Sequence, residues 1–350
     1  MCYNKTIKRY GKDWSFVLIP ILGRAGSGKT TLMLQKTAEA AREGRVILIV
    51  PEQYSFEMEK QVYAMGPLAM QVEVYSFTRL CHRVFSECGG MAGEYVTDAA
   101  RQILMNLALA QAKDQLDLYA RPAKSPAFVG TMLRQVDEFK NAGVTPKQLS
   151  DFSRGAPTPQ LMQKTHEMSL VYTYYQALLS QRFRDEKDSI LRCCDLLEGR
   201  GYFEGCTILI DSFMTFMAGE KKLLRLMMQE CKDLYLFLPC DGLSRTGDDP
   251  DGPIGDGTFD TARETLLQLI AQAHELGIPV KTPQVLTEQH RFQKEQLKHL
   301  ERWLPSLRQQ RCAQDDGAVT LCRAPNPYEE IRYVAAQIVQ LVRASKARYH

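Results

Sequence analysis

The sequence predicts an α/β protein built on a parallel sheet, interrupted by a long all-helical insertion. Three observations carry that prediction. Continuous apolar runs alternate with helical periods from Phe16 to Glu87, the pattern of parallel strands joined by crossover helices. Between Thr97 and about Leu197 only helical periods are found. Strand patterning then returns at Thr207-Ile208-Leu209-Ile210-Asp211.

Phe16 to Leu22 reads as a buried strand. Thr30 to Arg42 has helical spacing (Leu32, Leu34, Ala38, Ala41) and stops near Gly44. Arg45 to Val50 is a second strand, followed by a helix from about Ser55 to Met65. Val72 to Tyr75 is a third strand and Thr78 to Glu87 a helix. The insertion holds helices at Asp98 to Lys113, Phe128 to Ala142, Thr165 to Phe183 and Ser189 to Leu197, punctuated by prolines. Gly143 to Leu149 reads as a loop leading into a short capped helix. After the strand at Thr207 come a helix at Glu220 to Gln229 and a strand at Leu234 to Leu238. Asp241 to Thr258, rich in Gly and Asp, is expected to be a mobile loop. A helix at Phe259 to Leu276, a strand at Ala318 to Cys322 and an amphipathic helix at Pro327 to Ser345 complete the chain. The expected division is an α/β core at 1–95, the helical insertion at 96–203 and the rest of the core at 204–350.

The length of 350 residues is enough for two or three domains with their own cores. Hydrophobic content of 45% with 24% charged residues fits a soluble globular protein. A net charge of +3 and a pI near 8.2 neither demand nor exclude DNA, since strongly basic nucleic-acid modules lie above about pI 9. Ten cysteines contain no C-x-x-C pair, and several, such as Cys206, sit in apolar runs. They read as free thiols in a reducing, cytoplasmic compartment. Met1 to Trp14 is polar and lysine-rich without an apolar signal core. The apolar runs fall far short of the roughly 20 residues of a membrane span, so no membrane association is expected.

Gly23-Arg24-Ala25-Gly26-Ser27-Gly28-Lys29-Thr30 fits G-x-x-x-x-G-K-[ST] at every fixed position. Gly26 and Gly28 can adopt backbone angles closed to other residues, so that successive N–H groups face one concavity. The helix opening at Lys29 adds its dipole to that anion site. Lys29 is placed to reach the β- and γ-phosphates and Thr30 to ligate magnesium, with Thr31 beside it. The expected ligands are ATP and Mg2+. A pattern match alone can arise by chance; the strand before it and the helix after it supply the required context.

Three further stretches resemble the UvrD-like superfamily-1 helicases. Tyr75 to Phe85 looks like the family's T-F-H-S-L-x-x-R segment, which touches single-stranded DNA. Ile208 to Thr215 lies where the Walker B segment D-E-F-Q-D-T is found, and Leu234 to Leu243 where a strand and G-D-x-x-Q-S follow. A narrower resemblance is to the start of the AddB family, subunits of the AddAB helicase–nuclease. It is carried by Gly23 to Thr31, Ile47 to Glu59, Ser76 to Leu80, Ile210 to Phe213 and Ala324 to Ile331. The resemblance implies a RecA-like P-loop NTPase core of the superfamily-1 1A type with a 1B-like insertion. It implies an AddA-type helicase/nuclease partner in a heterodimer, single-stranded DNA and duplex ends as ligands, and double-strand-break resection as the process. AddB proteins also carry a C-terminal nuclease domain with an iron–sulfur cluster. Nothing in this sequence matches that domain, so the cluster is expected only in a part not present here.

The departures from the family pattern matter as much. Asp211 is kept for the metal, but Ser212 stands where the water-orienting Glu is expected, and Met214 and Thr215 replace Gln and Asp. Pro239-Cys240-Asp241-Gly242 stands in place of G-D-x-x-Q-S. Binding needs Lys29, Thr30 and Asp211, whereas in-line attack also needs an oriented nucleophile. No catalytic residue is assigned, and ATP turnover and translocation lack their usual groups. The alternatives are an active helicase motor or other nucleotide-dependent enzyme, with Glu220 or Asp241 replacing the missing Glu, and a scaffold with an empty loop.

Ser76, Phe77, Arg79 and Arg83 are the DNA-contact candidates, Phe77 by stacking on a base and the arginines through phosphates. The competing reading is a core phenylalanine and a solvated helix face. Arg182, Arg184, Lys187 and Arg192, interleaved with Asp185, Glu186 and Asp188, read as a solvated helix with intrahelical pairs. The scattered histidines are given no role.

Overall fold

A parallel sheet covered by helices on both sides needs strands that are apolar throughout, with alternate residues feeding two separate cores. The computed structural model describes residues 16–91, 93–246, 252–344 and 346–348. Its first elements are β1 (Val17–Gly23), α1 (Lys29–Ala41), β2 (Val46–Ile49), α2 (Glu52–Tyr63), β3 (Val72–Tyr75) and α3 (Phe77–Cys88). Then come β4 (Glu94–Tyr95), α4 (Asp98–Ala112), α5 (Pro126–Asn141), α6 (Pro146–Arg154), α7 (Pro159–Arg182), β5 (Phe183–Arg184) and α8 (Ser189–Leu197). The last are β6 (Thr207–Ile210), α9 (Ala218–Glu230), β7 (Asp233–Pro239), α10 (Asp260–Glu275), β8 (Gln284–Leu286), α11 (Glu295–Trp303) and α12 (Pro327–Arg343).

Six strands form one sheet in the order β3-β2-β6-β7-β1-β8, and every neighbouring pair is parallel. Leu18, Leu22, Ile47, Ile49, Ile208 and Ile210 pack with residues of α3, α8, α9 and α10 on one face. The intervening Ile21, Val46, Leu48, Val50 and Leu209 pack with Met33 and Ala41 of α1 and Met58 and Val62 of α2 on the other. The period-two alternation hidden inside each apolar run therefore sorts the side chains into two cores.

Helices α4 to α7 share a third apolar cluster, with Met105, Leu109, Val136, Val171 and Tyr175 at its centre. The expected capped helix is α6, where the Thr145 hydroxyl accepts from the Gln148 backbone N–H and the Gln148 side chain accepts from the Thr145 N–H. The short strands β4 and β5 pair in parallel at the two ends of this stretch. The cluster ends near Phe183, earlier than the expected boundary at 203, because α8 turns its buried Cys193, Cys194 and Leu197 into the sheet's core.

The chain divides into two units, Met1–Arg245 with Gly257–Glu288, and Thr246–Asp256 with Gln289–His350. Strand β8 belongs to the first unit, and residues 289–350 fall in the second. Ala318 to Cys322, expected as a strand, is irregular and largely exposed. Among the described residues no strand pairs with it, and an unpaired segment has no reason to stay extended. In α12 the expected amphipathic helix forms, with no residue buried.

Met1 to Trp14 with Cys2, and residues 247–251 of the expected mobile loop, lie outside the described residues. The nine described cysteines are free thiols, six of them buried. No helix of the described residues is long and apolar enough to cross a membrane.

Candidate nucleotide site

In a parallel sheet, all strands end at one edge, and residues just beyond those ends are brought together there. Gly23 closes β1, Glu52 opens α2 just after β2, Ser76 follows β3, Asp211 follows β6 and Cys240 follows β7. Stretches far apart in the sequence therefore meet along one edge.

At the end of β1 the chain turns through a tight loop, with the Ser27 N–H donating to the Arg24 carbonyl at 3.3 Å. Gly26 and Gly28 take φ of 79° and 83°, left-handed values that favour glycine. Gly28 is the N-cap of α1 and has no side chain to satisfy the first helical N–H groups, which leaves them available to a ligand. Gly23 is fixed by crowding, since a Cβ there would lie 2.2 Å from the Ser27 hydroxyl. That hydroxyl is buried without a hydrogen-bond partner. The Lys29 ammonium folds back to donate to the carbonyls of Gly23 at 2.5 Å and Arg24 at 2.9 Å. The Arg24 guanidinium lies 5.5 Å from the centre of the Phe259 ring. Ala25, Thr30 and Thr31 are exposed.

Asp211 is 4% exposed. Burial pushes its pKa up, opposed by hydrogen bonds from the Ser212 backbone and hydroxyl and by the charge of Lys29. The lysine of the loop and the acid that follows β6 thus act on one another electrostatically. Ser212 has φ 67°, the only positive value at a non-glycine among the described residues, a strain worth about 1–3 kcal/mol. The strain turns its hydroxyl onto Asp211 and lets Phe213 reach inward. Phe213 meets Phe77 at 5.4 Å and Phe216 at 5.2 Å, ring centre to ring centre.

The two acids that stood as replacements for the missing Glu are already engaged. Glu220 accepts from the Met217 backbone N–H at 2.7 Å, capping its own helix, with its pKa raised by burial. Asp241 accepts from Arg263 at 2.7 Å. Arg263 also donates to Asp260 at 2.6 Å and to the Gly242 carbonyl at 3.2 Å, so the turn after β7 is clamped to α10. No sequence signal announced this clamp, because its partners lie about twenty residues apart across a loop.

The DNA-contact candidates divide. Phe77 is 3% exposed and its ring is spent on Phe213 and Phe216, so it offers no face for base stacking. Ser76 is also buried, donating its hydroxyl to the Glu52 carboxylate and accepting from the Arg79 N–H at 3.2 Å as the α3 cap. Arg79 pairs with Glu59 at 2.7 Å and Arg83 with Glu87 at 2.6 Å, both at the surface. Sequence reasoning missed Glu52, although it lies in the Pro51-Glu52-Gln53 run that carried the family resemblance.

The chain matches the family model described as ADDB, N-terminal, over residues 20–301. The chain belongs to the AddB N-terminal family. Similar proteins include the B subunit of the ATP-dependent helicase/deoxyribonuclease of Thermoanaerobacter sp. (strain X514), 30% identical over 337 residues. The protein of the same name from Clostridium perfringens (strain SM101 / Type A) is 28% identical over 337 residues. The one from Acetivibrio thermocellus is 27% identical over 342 residues. Each comparison covers 94% of this chain and 29% of the relative, so this AddB-family chain spans under a third of their length. In AddB terms, the matched region holds the phosphate-loop candidate, Glu52, Asp211 and the Arg263 clamp, while α12 lies beyond it.

Proposed function

We propose that this chain is the nucleotide-binding, DNA-engaging N-terminal region of an AddB-type subunit. It acts with an AddA-type helicase/nuclease partner in resecting double-strand breaks for recombinational repair. The proposed core is a P-loop NTPase of the superfamily-1 1A type, with α4 to α7 as its 1B-like insertion. Gly23 to Thr31 would hold the phosphates of ATP.

One observation carries the reading: left-handed glycines open α1 at Lys29 while the buried Ser27 hydroxyl lacks a partner. A phosphate oxygen in that concavity would accept from the loop N–H groups and the Ser27 hydroxyl, and would draw the Lys29 ammonium off the carbonyls it now bridges. Thr30 and Asp211 would hold magnesium, which neutralises charge on the β- and γ-phosphates. The described residues hold no group of three or more His, Cys, Asp or Glu that could hold a metal ion. Mg2+ needs only one or two protein ligands and completes its shell with phosphates and water.

The site is organised for binding more than for turnover. Ser212 cannot serve as a general base in the glutamate's place, and Glu220 and Asp241 are held in structural bonds. The test is calorimetric titration of the chain with Mg-ATP. A site whose binding is weakened at least about tenfold, or 1.4 kcal/mol, by Lys29→Ala is expected. Equal affinity in the two proteins would remove the loop from the account.

A further inference from the structure

The basic run of Arg182, Arg184, Lys187 and Arg192 does not form the single solvated helix that its sequence suggests. The chain leaves α7 at Phe183, and the charges re-sort across elements. Asp185 and Asp188 both accept from the buried Lys140 ammonium of α5, each at 2.8 Å. The burial of Lys140 works to lower its pKa, but the two carboxylates outweigh it and hold it above its usual value. Asp195 is taken by Lys222 at 2.6 Å. Arg184 and Arg192 are left without an ion pair among the described residues. Instead both donate to one acceptor, the Gly90 carbonyl, at 2.6 and 2.9 Å.

Two guanidinium groups on one neutral oxygen repel each other unless an anion lies near. Both line a cleft of about 520 Å³ between the α5–α6 loop, α7 and α8, a size typical of small-ligand sites. Two polar atoms of cleft-lining residues are buried with no partner: Nη1 of Arg192, a charged donor, and Oε1 of Gln176, an acceptor. Tyr172, Leu179 and Phe183 supply apolar wall. Asp185 and Asp188 share Lys140, and Asp195 is held by Lys222 from outside the lining, so with Arg184 and Arg192 the cleft and its lysines carry one positive charge in excess.

We propose that this cleft is a second anion site, which takes a phosphate-bearing ligand. The oxyanion sits at Arg184 and Arg192, a neighbouring hydroxyl or N–H donates to Gln176, and an apolar body lies along Tyr172 and Phe183. The ligand is either a free nucleotide or the backbone phosphate of a DNA strand. The site stands apart from the loop at Gly23 to Thr30 and does not depend on that reading.

The test uses the Lys29→Ala chain, to suppress phosphate binding at the loop. Inorganic phosphate, deoxythymidine monophosphate and a short oligothymidylate are titrated separately at low salt. Saturable binding of at least one probe is expected, weakened about tenfold or more by Arg192→Gln. Ser180→Glu, an exposed position on the cleft wall, should weaken it without touching the buried groups, which guards against a misfolded Arg192 variant. Arg182→Gln, outside the lining, should leave it intact. Binding of the mononucleotide in preference to the oligonucleotide assigns the site to a free nucleotide; the reverse assigns it to a strand. No saturable binding of any probe, binding indifferent to both Arg192→Gln and Ser180→Glu, or equal weakening by Arg182→Gln overturns the proposal.

Discussion

The ends of β1 and β6 lie on the same edge of one sheet, yet they are organised on opposite principles. After β1 the polar groups are left open. A buried hydroxyl has no partner, helix-opening N–H groups lack a capping side chain, and an ammonium rests on two carbonyls from which it can be displaced. After β6 and β7 the polar groups are closed on one another. Ser212 bonds to Asp211, Glu220 caps α9, and Arg263 gathers Asp241, Asp260 and the Gly242 carbonyl. An unsatisfied buried group carries a penalty that a ligand can relieve, whereas a satisfied one must be broken before it can act. The comparison supports the proposal that the chain holds a nucleotide without hydrolysing it.

The largest expected effect falls on the closed side. Arg263→Ala strands the Asp241 carboxylate and leaves Asp260 to Arg245 alone, and should lower the midpoint of urea unfolding. It should leave Mg-ATP affinity nearly unchanged, and a large loss of affinity would mean that the two sides are not independent. The same clamp gives a pH signature. Hydrogen bonds from Arg245, with the charges of Arg245 and Arg263, hold the Asp260 carboxyl below its ordinary value of 3.8. Its contribution is therefore present above pH 3.8 and lost as pH falls through the lowered folded value. The acid-unfolding midpoint should rise in Arg263→Ala.

On the open side, Gly23→Ala drives a Cβ into the Ser27 hydroxyl and should cost about 1–3 kcal/mol, with a parallel fall in nucleotide affinity. Ser27→Ala sharpens the contrast because its two effects have opposite signs. Removing an unpartnered buried hydroxyl should raise the stability of the ligand-free chain by about 1 kcal/mol, measured by thermal unfolding, while weakening Mg-ATP. If stability falls instead, the hydroxyl is already satisfied and the loop is not open. The smallest effect belongs to Arg83→Ala, whose surface pair with Glu87 contributes about 0–1 kcal/mol. Stability should barely move, whereas a phosphate contact would lower single-strand affinity and reduce the salt slope by about 1.

How far the sequence spoke for itself depended on the range of the interactions involved. Strand β3 and helix α8 fall on their expected residues, Val72–Tyr75 and Ser189–Leu197, because local apolar pattern and turn residues decide both. The loop at Gly23 to Thr30 was legible because its fixed positions all belong to one short turn. Phe77 was not, since only the fold shows that Phe213 and Phe216 enclose its ring. Ala318 to Cys322 carries strand pattern without a partner strand, and pattern alone cannot report that lack. The acids Asp185 and Asp188 were expected to pair within their own helix. They pair instead with Lys140, more than forty residues away, a match set by packing that no local spacing encodes. Ser212 gave no warning of its left-handed backbone, for serine rarely adopts one.

We propose that one site keeps nucleotide binding while lacking the groups for turnover. It is tested most directly by measuring phosphate release from the chain saturated with Mg-ATP, with and without single-stranded DNA, on the sample whose binding has been titrated. Saturable, Lys29-dependent binding is expected, with release no faster in the presence of DNA than in its absence. Brisk DNA-stimulated release, abolished by Asp241→Asn or Glu220→Gln, would show that a group read here as structural is the missing catalytic carboxylate.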